Sequence, residues 1–275
     1  MQHDALELRL KVALDAAARS GDLAMSLYQS TDLAVERKGD GSPVTSADKD
    51  GEALIRRMIA DAFPDDGVMG EEHPEKTGTS GWRWVIDPID GTNSFVRGVP
   101  TFGVLIGVEH NGSMDAGVAH FPALDETVWA SRGGGAWWKT SRGETVPARL
   151  STTDEPAKAL VQAPSPPAFL RYGREKELAA ITNSVHRTHG WNDAYSFALA
   201  ATGRADAVLG FKFSLWDVAP FMVIFPEASG LFTAWDGSSP AMATALGAGP
   251  GMHTALARVL TGGRSAERRG GERGR

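Results

Sequence analysis

The chain has 275 residues, 42% of them hydrophobic and 23% charged, a composition ordinary for a globular protein with a sizeable core. It contains no cysteine, which excludes disulfides, thiolate metal sites and a cysteine nucleophile, so any metal must be held by oxygen or histidine. Lys and Arg number 28 against 34 Asp and Glu, a formal charge of -6, which argues against a nucleic-acid partner. The N-terminus MQHDALELRL carries charges where an export signal has its apolar core, and no uncharged run approaches the ~18 residues of a membrane span. The expectation is a cytoplasmic protein without membrane contact.

Leu6, Leu10, Leu14, Ala17, Ala24 and Leu27 recur at helical spacing and predict an amphipathic helix, broken near Gly21. Residues 38–43 form a loop by their turn residues. Thr45-Ser46-Ala47-Asp48 caps a second helix, with Leu54, Ile55, Met58, Ile59 and Ala62 as its apolar stripe. The centre reads as sheet. Trp84-Val85-Ile86 is a short strand, 102–108 another, and Asn111-Gly112 a hairpin turn. Strands over 118–121 and 127–130 continue the meander, and Gly133-Gly134-Gly135 turns the chain before Ala136-Trp137-Trp138. That glycine run has neither P-loop nor dinucleotide spacing.

Residues 140–157 are polar and join the halves. Beyond them the patterning predicts a strand at 160–161, helices over 174–185 and 194–202, and a strand at 207–209. A helix over 217–228 follows, which Pro226 kinks or stops. Strands at 231–233 and 241–245 and a last helix over 253–260 complete the chain. Mixed blocks of helix and hairpin favour α+β layers. The expected organisation is an N-terminal α+β half, 1–145, a C-terminal α/β half, 146–262, and a disordered tail, 263–275.

The informative stretch is Trp84-Val85-Ile86-Asp87-Pro88-Ile89-Asp90-Gly91-Thr92. An apolar strand runs into two aspartates three residues apart, with Pro88 stiffening the turn and Gly91 allowing close backbone approach. Two acids at the end of a buried strand repel each other, and a divalent cation between them removes the problem. Oxygen-only ligands point to a hard ion, Mg²⁺ first. Gly70-Glu71-Glu72 lies upstream and Trp216-Asp217-Val218-Ala219 downstream. Taken singly, Glu71-Glu72 reads as a solvated acidic turn, Asp217 as a helix N-cap, and Asp87 and Asp90 as turn formers. Asp125-Glu126 reads as a further solvated turn.

Acid pair, Asp-Pro-Ile-Asp-Gly-Thr and Trp-Asp-x-x-Ala, in that order, resemble the inositol monophosphatase family over roughly residues 6–260. The resemblance implies a layered αβαβα sandwich, hydrolysis of a small-molecule phosphate, two to three Mg²⁺ ions, lithium sensitivity and a homodimer. It implies that Glu71, Asp87 and the Ile89 carbonyl hold one ion and that Asp87, Asp90 and Asp217 hold a second. Glu72 would support a third through water. Asp48 and Thr92 would orient and deprotonate the attacking water. The backbone N–H groups of Gly91 and Thr92 would hold phosphate oxygens. Two cations about 3.5–4 Å apart suit this reaction, which needs positioning and charge rather than a protein nucleophile.

For the substrate, the stretch 93–100 and the run Gly190-Trp191-Asn192-Asp193-Ala194-Tyr195 are similar to the histidinol-phosphate phosphatases of the family. Asp193 suits an ammonium group, Trp191 or Phe211 a flat ring, and Arg97 the pocket mouth. Trp191 and Tyr195 read equally as core, and Arg97 as an exposed hairpin residue. Where the family places a substrate-contacting glutamate, seven residues before Asp217, stands Gly210. The alternatives are an inositol, sugar or other metabolite phosphatase, and an inactive ligand-binding homologue, which should have lost one of these acids; all are present.

Overall fold

The spacing that begins at Leu6 becomes one helix, α1 (Gln2–Leu27), in a computed structural model that describes residues 2–31, 33–39, 41–190, 193–238 and 243–262. The helix does not break at Gly21. A side chain there would begin 2.8 Å from the His120 ring, so the glycine serves close packing rather than a bend. A short hairpin, β1 (Val35–Arg37) and β2 (Pro43–Thr45), leads into α2 (Ser46–Ala62). Thr45 is the N-cap, and Asp48, three residues on, accepts the Thr45 N–H in a capping box. Ile55 and Ile59 of the expected stripe are wholly buried.

The chain then forms β3 (Gly67–Gly70), β4 (Trp82–Asp90), the single-turn helix α3 (Thr92–Val96), β5 (Gly103–His110), β6 (Ser113–Phe121), β7 (Glu126–Ser131), β8 (Gly135–Lys139) and β9 (Thr145–Pro147). These strands make one seven-stranded sheet in sequence order, with β3 and β4 parallel and the rest antiparallel. Asn111 and Gly112 both have positive φ, 49° and 82°, as a hairpin turn of this hand requires. The Gly133–Gly135 turn offers its N–H groups to Glu227 at 2.8 and 2.9 Å. The solvated reading of Asp125-Glu126 holds only for Asp125. Glu126 is buried and takes both arms of the Arg204 guanidinium, at 2.9 and 2.7 Å, from 78 residues away.

The second half contributes β10 (Leu160–Gln162), α4 (Pro166–Arg171), α5 (Glu175–Ser184), β11 (Arg187–His189), α6 (Asp193–Ala201) and β12 (Ala207–Phe211). The helix expected over 217–228 is two. α7 (Leu215–Val218) ends before Pro220, and α8 (Phe221–Glu227) starts after it and contains Pro226 near its end. The Pro226 ring removes one helical hydrogen bond without stopping the helix. β13 (Leu231–Thr233), β14 (Thr244–Ala248) and α9 (Pro250–Thr261) close the chain. The five strands form a mixed sheet in the order β11-β10-β12-β14-β13. The tail, 263–275, lies outside the described residues.

The layers follow from which faces are apolar. α1 and α2 cover one face of the large sheet, burying Leu6, Ala13, Ile55 and Ile59 against Trp84, Ile86 and Ile106. α6 and α8 fill the space between the sheets with Phe197, Phe221 and Phe225. α4, α5 and α9 cover the outer face of the small sheet through Phe169, Ile181 and Leu256. The result is an αβαβα sandwich of the α+β class. No helix among the described residues is long and apolar enough to cross a membrane.

Candidate active site

β4 keeps register with β5 as far as Asp87, loses it, and regains it where Asp90 faces Gly103. The Asp-Pro-Ile-Asp stretch is therefore a bulge inside a strand and not the turn that its composition suggests. Pro88 brings no N–H to the ladder, and the bulge re-aims both acids. Gly91 follows in the left-handed region, φ 81° and ψ 40°, and caps α3. A Cβ on Gly91 would lie 2.8 Å from a carboxylate oxygen of Asp193, so both backbone and space demand glycine.

Asp217 arrives from the other half of the chain. It is the third residue of the α7 capping box and accepts the Ser214 N–H at 2.8 Å; the cap itself is Ser214. One carboxylate oxygen from each of Asp87, Asp90 and Asp217 falls within 4.8 Å of the others. Asp87 accepts the Ile89 N–H at 3.0 Å, and Asp90 accepts the Ala194 N–H at 2.6 Å.

These acids are under electrostatic pressure. Burial, then Glu71, Asp90 and Asp217, pushes the Asp87 carboxyl well above the ordinary range. Burial, then Asp193 and Asp217, does the same to Asp90. Burial chiefly, with Glu71 and Asp193 adding to it, raises Asp217 to about 6. Neutralising such a group needs a proton or a cation, and an all-oxygen donor set suits a hard divalent ion. The residues present thus fit a metal site.

Glu71 and Glu72 stand in the turn after β3. Lys38 holds both, its Nζ 2.6 Å from an oxygen of each. Burial opposes the ammonium charge, but the two carboxylates outweigh it and raise the Lys38 pKa. The turn is fixed from below by Glu52, which is wholly buried. Its carboxylate accepts the Glu72 N–H at 2.7 Å and the His73 N–H at 3.3 Å, and Arg56 neutralises it at 2.7 Å. Gly70 leaves room for that carboxylate, since a Cβ there would overlap a Glu52 oxygen.

The Thr92 hydroxyl lies 3.1 Å from Asp48 Oδ1 and 3.1 Å from the Ile89 carbonyl oxygen. The other Asp48 oxygen accepts the N–H and hydroxyl of Thr45. Burial raises the Asp48 pKa despite these donors. Glu71, Asp87, Ile89, Asp90, Gly91, Thr92 and Asp217 border a cavity of about 700 Å³ that also reaches Ser94, Arg97, Asp193, Gly210, Phe211 and Phe213.

The family model for the inositol monophosphatase family matches residues 5–265. The chain belongs to the inositol monophosphatase family. It is 38% identical to the histidinol-phosphatase of Chlorobaculum parvum, over 80% of this chain and 83% of that protein. It is 32% identical to the inositol-1-monophosphatase of Rhizobium meliloti, over 83% of this chain and 86% of that protein. The crystal structure of the extragenic suppressor protein suhB from Bartonella henselae superposes with a TM-score of 0.85 at 28% identity, covering 93% of this chain and 99% of that one.

Within this family member, the remaining candidates sort by position. Arg97 is exposed at the end of α3 and borders the cavity. Asp193 begins α6 with φ 55°, its carboxylate 3.4 Å from the Ser94 hydroxyl and its pKa raised by burial. Phe211 borders the cavity but commits its ring to the outer core, edge-on to Phe169 and Trp235. Trp191 and Asn192 lie outside the described residues. Sequence patterning does not single out Lys38, Glu52 or Phe213, because each acts through a partner distant in the chain or on the unseen face of a strand.

A pH dependence follows for the metal-free protein. Folding lifts Asp217 from 3.8 to about 6, so the folded state holds its proton more tightly than the unfolded state. The associated stability is present below about pH 4 and is lost as pH rises to about 6, on the order of 3 kcal/mol by linkage. Thermal unfolding in chelator should show this decline, and Asp217→Asn should reduce it, leaving the part carried by Asp87 and Asp90. An unchanged pH profile in that variant would contradict the assignment.

Proposed function

We propose that this chain hydrolyses a small-molecule phosphate monoester with Mg²⁺, and that histidinol phosphate is its first-choice substrate. The observation that carries the reading is the meeting of Asp87, Asp90 and Asp217 around one cavity with Thr92, whose hydroxyl is hydrogen-bonded to Asp48. Glu71, Asp87, Asp90, Asp217 and the Ile89 carbonyl would hold two ions, and Glu72 would support a third. Mg²⁺ in that cage supplies positive charge against the phosphate and leaving oxygens and makes water more acidic.

The chain's own groups do the rest. The N–H groups of Gly91 and Thr92 hold phosphate oxygens at the mouth of α3. A water aligned opposite the ester oxygen gives its proton to Thr92 Oγ as Thr92 passes its own to Asp48. The new P–O bond forms as the ester P–O bond breaks, and the alkoxide takes a proton from water in the cavity. Burial of Asp48 suits this task, because a raised pKa brings a carboxylate closer to a useful base. Asp193 faces the substrate's ammonium and Arg97 stands at the pocket mouth. The similarity to a named histidinol-phosphatase supports the choice of substrate. The assembly we propose is a homodimer, with the exposed Trp137 as a marker of its surface; Trp138 is turned against Arg204.

The test is phosphate release with Mg²⁺ from histidinol phosphate, inositol 1-phosphate, fructose 1,6-bisphosphate and simple sugar phosphates. We expect kcat/KM for histidinol phosphate to lead by about 100-fold, near 3 kcal/mol of discrimination. A lead by inositol 1-phosphate, or weak and even rates, would overturn the choice of substrate while leaving the metal site as read.

A further inference from the structure

Side chains alternate across β12. Leu209 and Phe211 enter the outer core, whereas Val208 joins the core between the sheets with Phe197. Gly210 shares the Val208 face by that alternation. Its side-chain space is taken: a Cβ on Gly210 would overlap Cζ of Phe213. Phe213 reaches this place because the chain reverses at Lys212, which has φ 66°. Phe197 braces the ring edge-on, at 5.5 Å between centroids. Gly210, Phe213 and Phe197 all border the cavity that contains the carboxylates. The one charged side chain between Gly210 and Ser214, Lys212, lies over the Tyr172 ring at 4.6 Å.

We infer that Phe213, seated in the side-chain space of Gly210, is a specificity-determining residue of this cavity, favouring phosphate esters whose alcohol part presents a ring or other apolar face over polyol esters. The inference rests on the phosphatase reading above. A polyol hydroxyl pressed against the ring loses water and gains no partner, whereas a flat or apolar group gains contact area. A carboxylate or amide projecting from position 210 would reverse that preference, and the ring leaves it no room.

The experiment compares kcat and KM for phenyl phosphate and inositol 1-phosphate, with Mg²⁺, in the wild type, Phe213→Ala, Phe213→Leu, Gly210→Ala and the Gly210→Ala/Phe213→Ala double variant. The expected result is a fall of at least tenfold in the phenyl-to-inositol ratio of kcat/KM in Phe213→Ala, carried mainly by KM. Gly210→Ala should shift the ratio the same way by pushing the ring aside, and should add nothing once the ring is gone. Phe213→Leu keeps most of the volume without the flat face, so it reads the same ratio if the alanine variant does not fold. Equal changes for both esters, or full additivity of the two alanine substitutions, would overturn the inference. No turnover of phenyl phosphate by a wild type that hydrolyses inositol 1-phosphate or histidinol phosphate would overturn the inference alone, and no turnover of any of the three would overturn the phosphatase reading with it.

Discussion

Asp90→Asn is expected to reduce Mg²⁺-dependent phosphate release by at least ~10³-fold, about 4 kcal/mol of transition-state stabilisation. Asp90 contributes one of the three carboxylate oxygens within 4.8 Å and lies buried against Asp193 and Asp217. An amide keeps the shape and can still accept the Ala194 N–H. It cannot supply the negative charge that holds a divalent ion. The same substitution removes repulsion from the metal-free site, so the fold should not weaken in chelator. Mg²⁺ should raise the unfolding temperature of the wild type by mass action and leave the variant almost unmoved. A variant that stays active and Mg²⁺-dependent would overturn the role given to Asp90.

Asp48→Asn should lower kcat by about 10²–10⁴-fold, the usual span for loss of a general base, with KM little changed. The amide oxygen can still take the Thr45 N–H, so α2 keeps its cap. The proton path proposed from Thr92 to Asp48 would lose its end point. An undiminished rise of the unfolding temperature with Mg²⁺ separates this from a structural defect. The wild type should lose activity on the acid side as Asp48 protonates and as protons displace cations from Asp87, Asp90 and Asp217. The variant should keep only the part of that limb set by the cation-holding acids. Unchanged kcat would contradict the base assignment.

Much of the site is legible in the sequence because its chemistry sits in short local motifs. The strand leading to Asp87, the left-handed Gly91 and the Thr45–Asp48 cap each follow from neighbours within a few residues. The parts that escape depend on distance in the chain. Glu126 reads as solvated because its partner Arg204 is 78 residues away. Glu52 lies outside the apolar stripe of α2, and its burial under the Glu72 turn depends on a partner 20 residues on. Gly21 reads as a helix break because the His120 ring that needs its space comes from β6. Phe211 reads as a substrate contact, and Phe213 goes unnoticed, because the sequence does not reveal the reversal at Lys212, which sends the Phe211 ring into the core and the Phe213 ring over Gly210. The break between α7 and α8 is expected too late because Pro220, rather than Pro226, ends the first helix.

The proposed activity rests on cations held by Asp87, Asp90 and Asp217. Its most direct test is phosphate release from histidinol phosphate and phenyl phosphate by the full chain, before chelation, after chelation and after return of Mg²⁺. Turnover should fall by at least ~10²-fold in chelator and recover fully with Mg²⁺. Turnover that persists undiminished in chelator would contradict it.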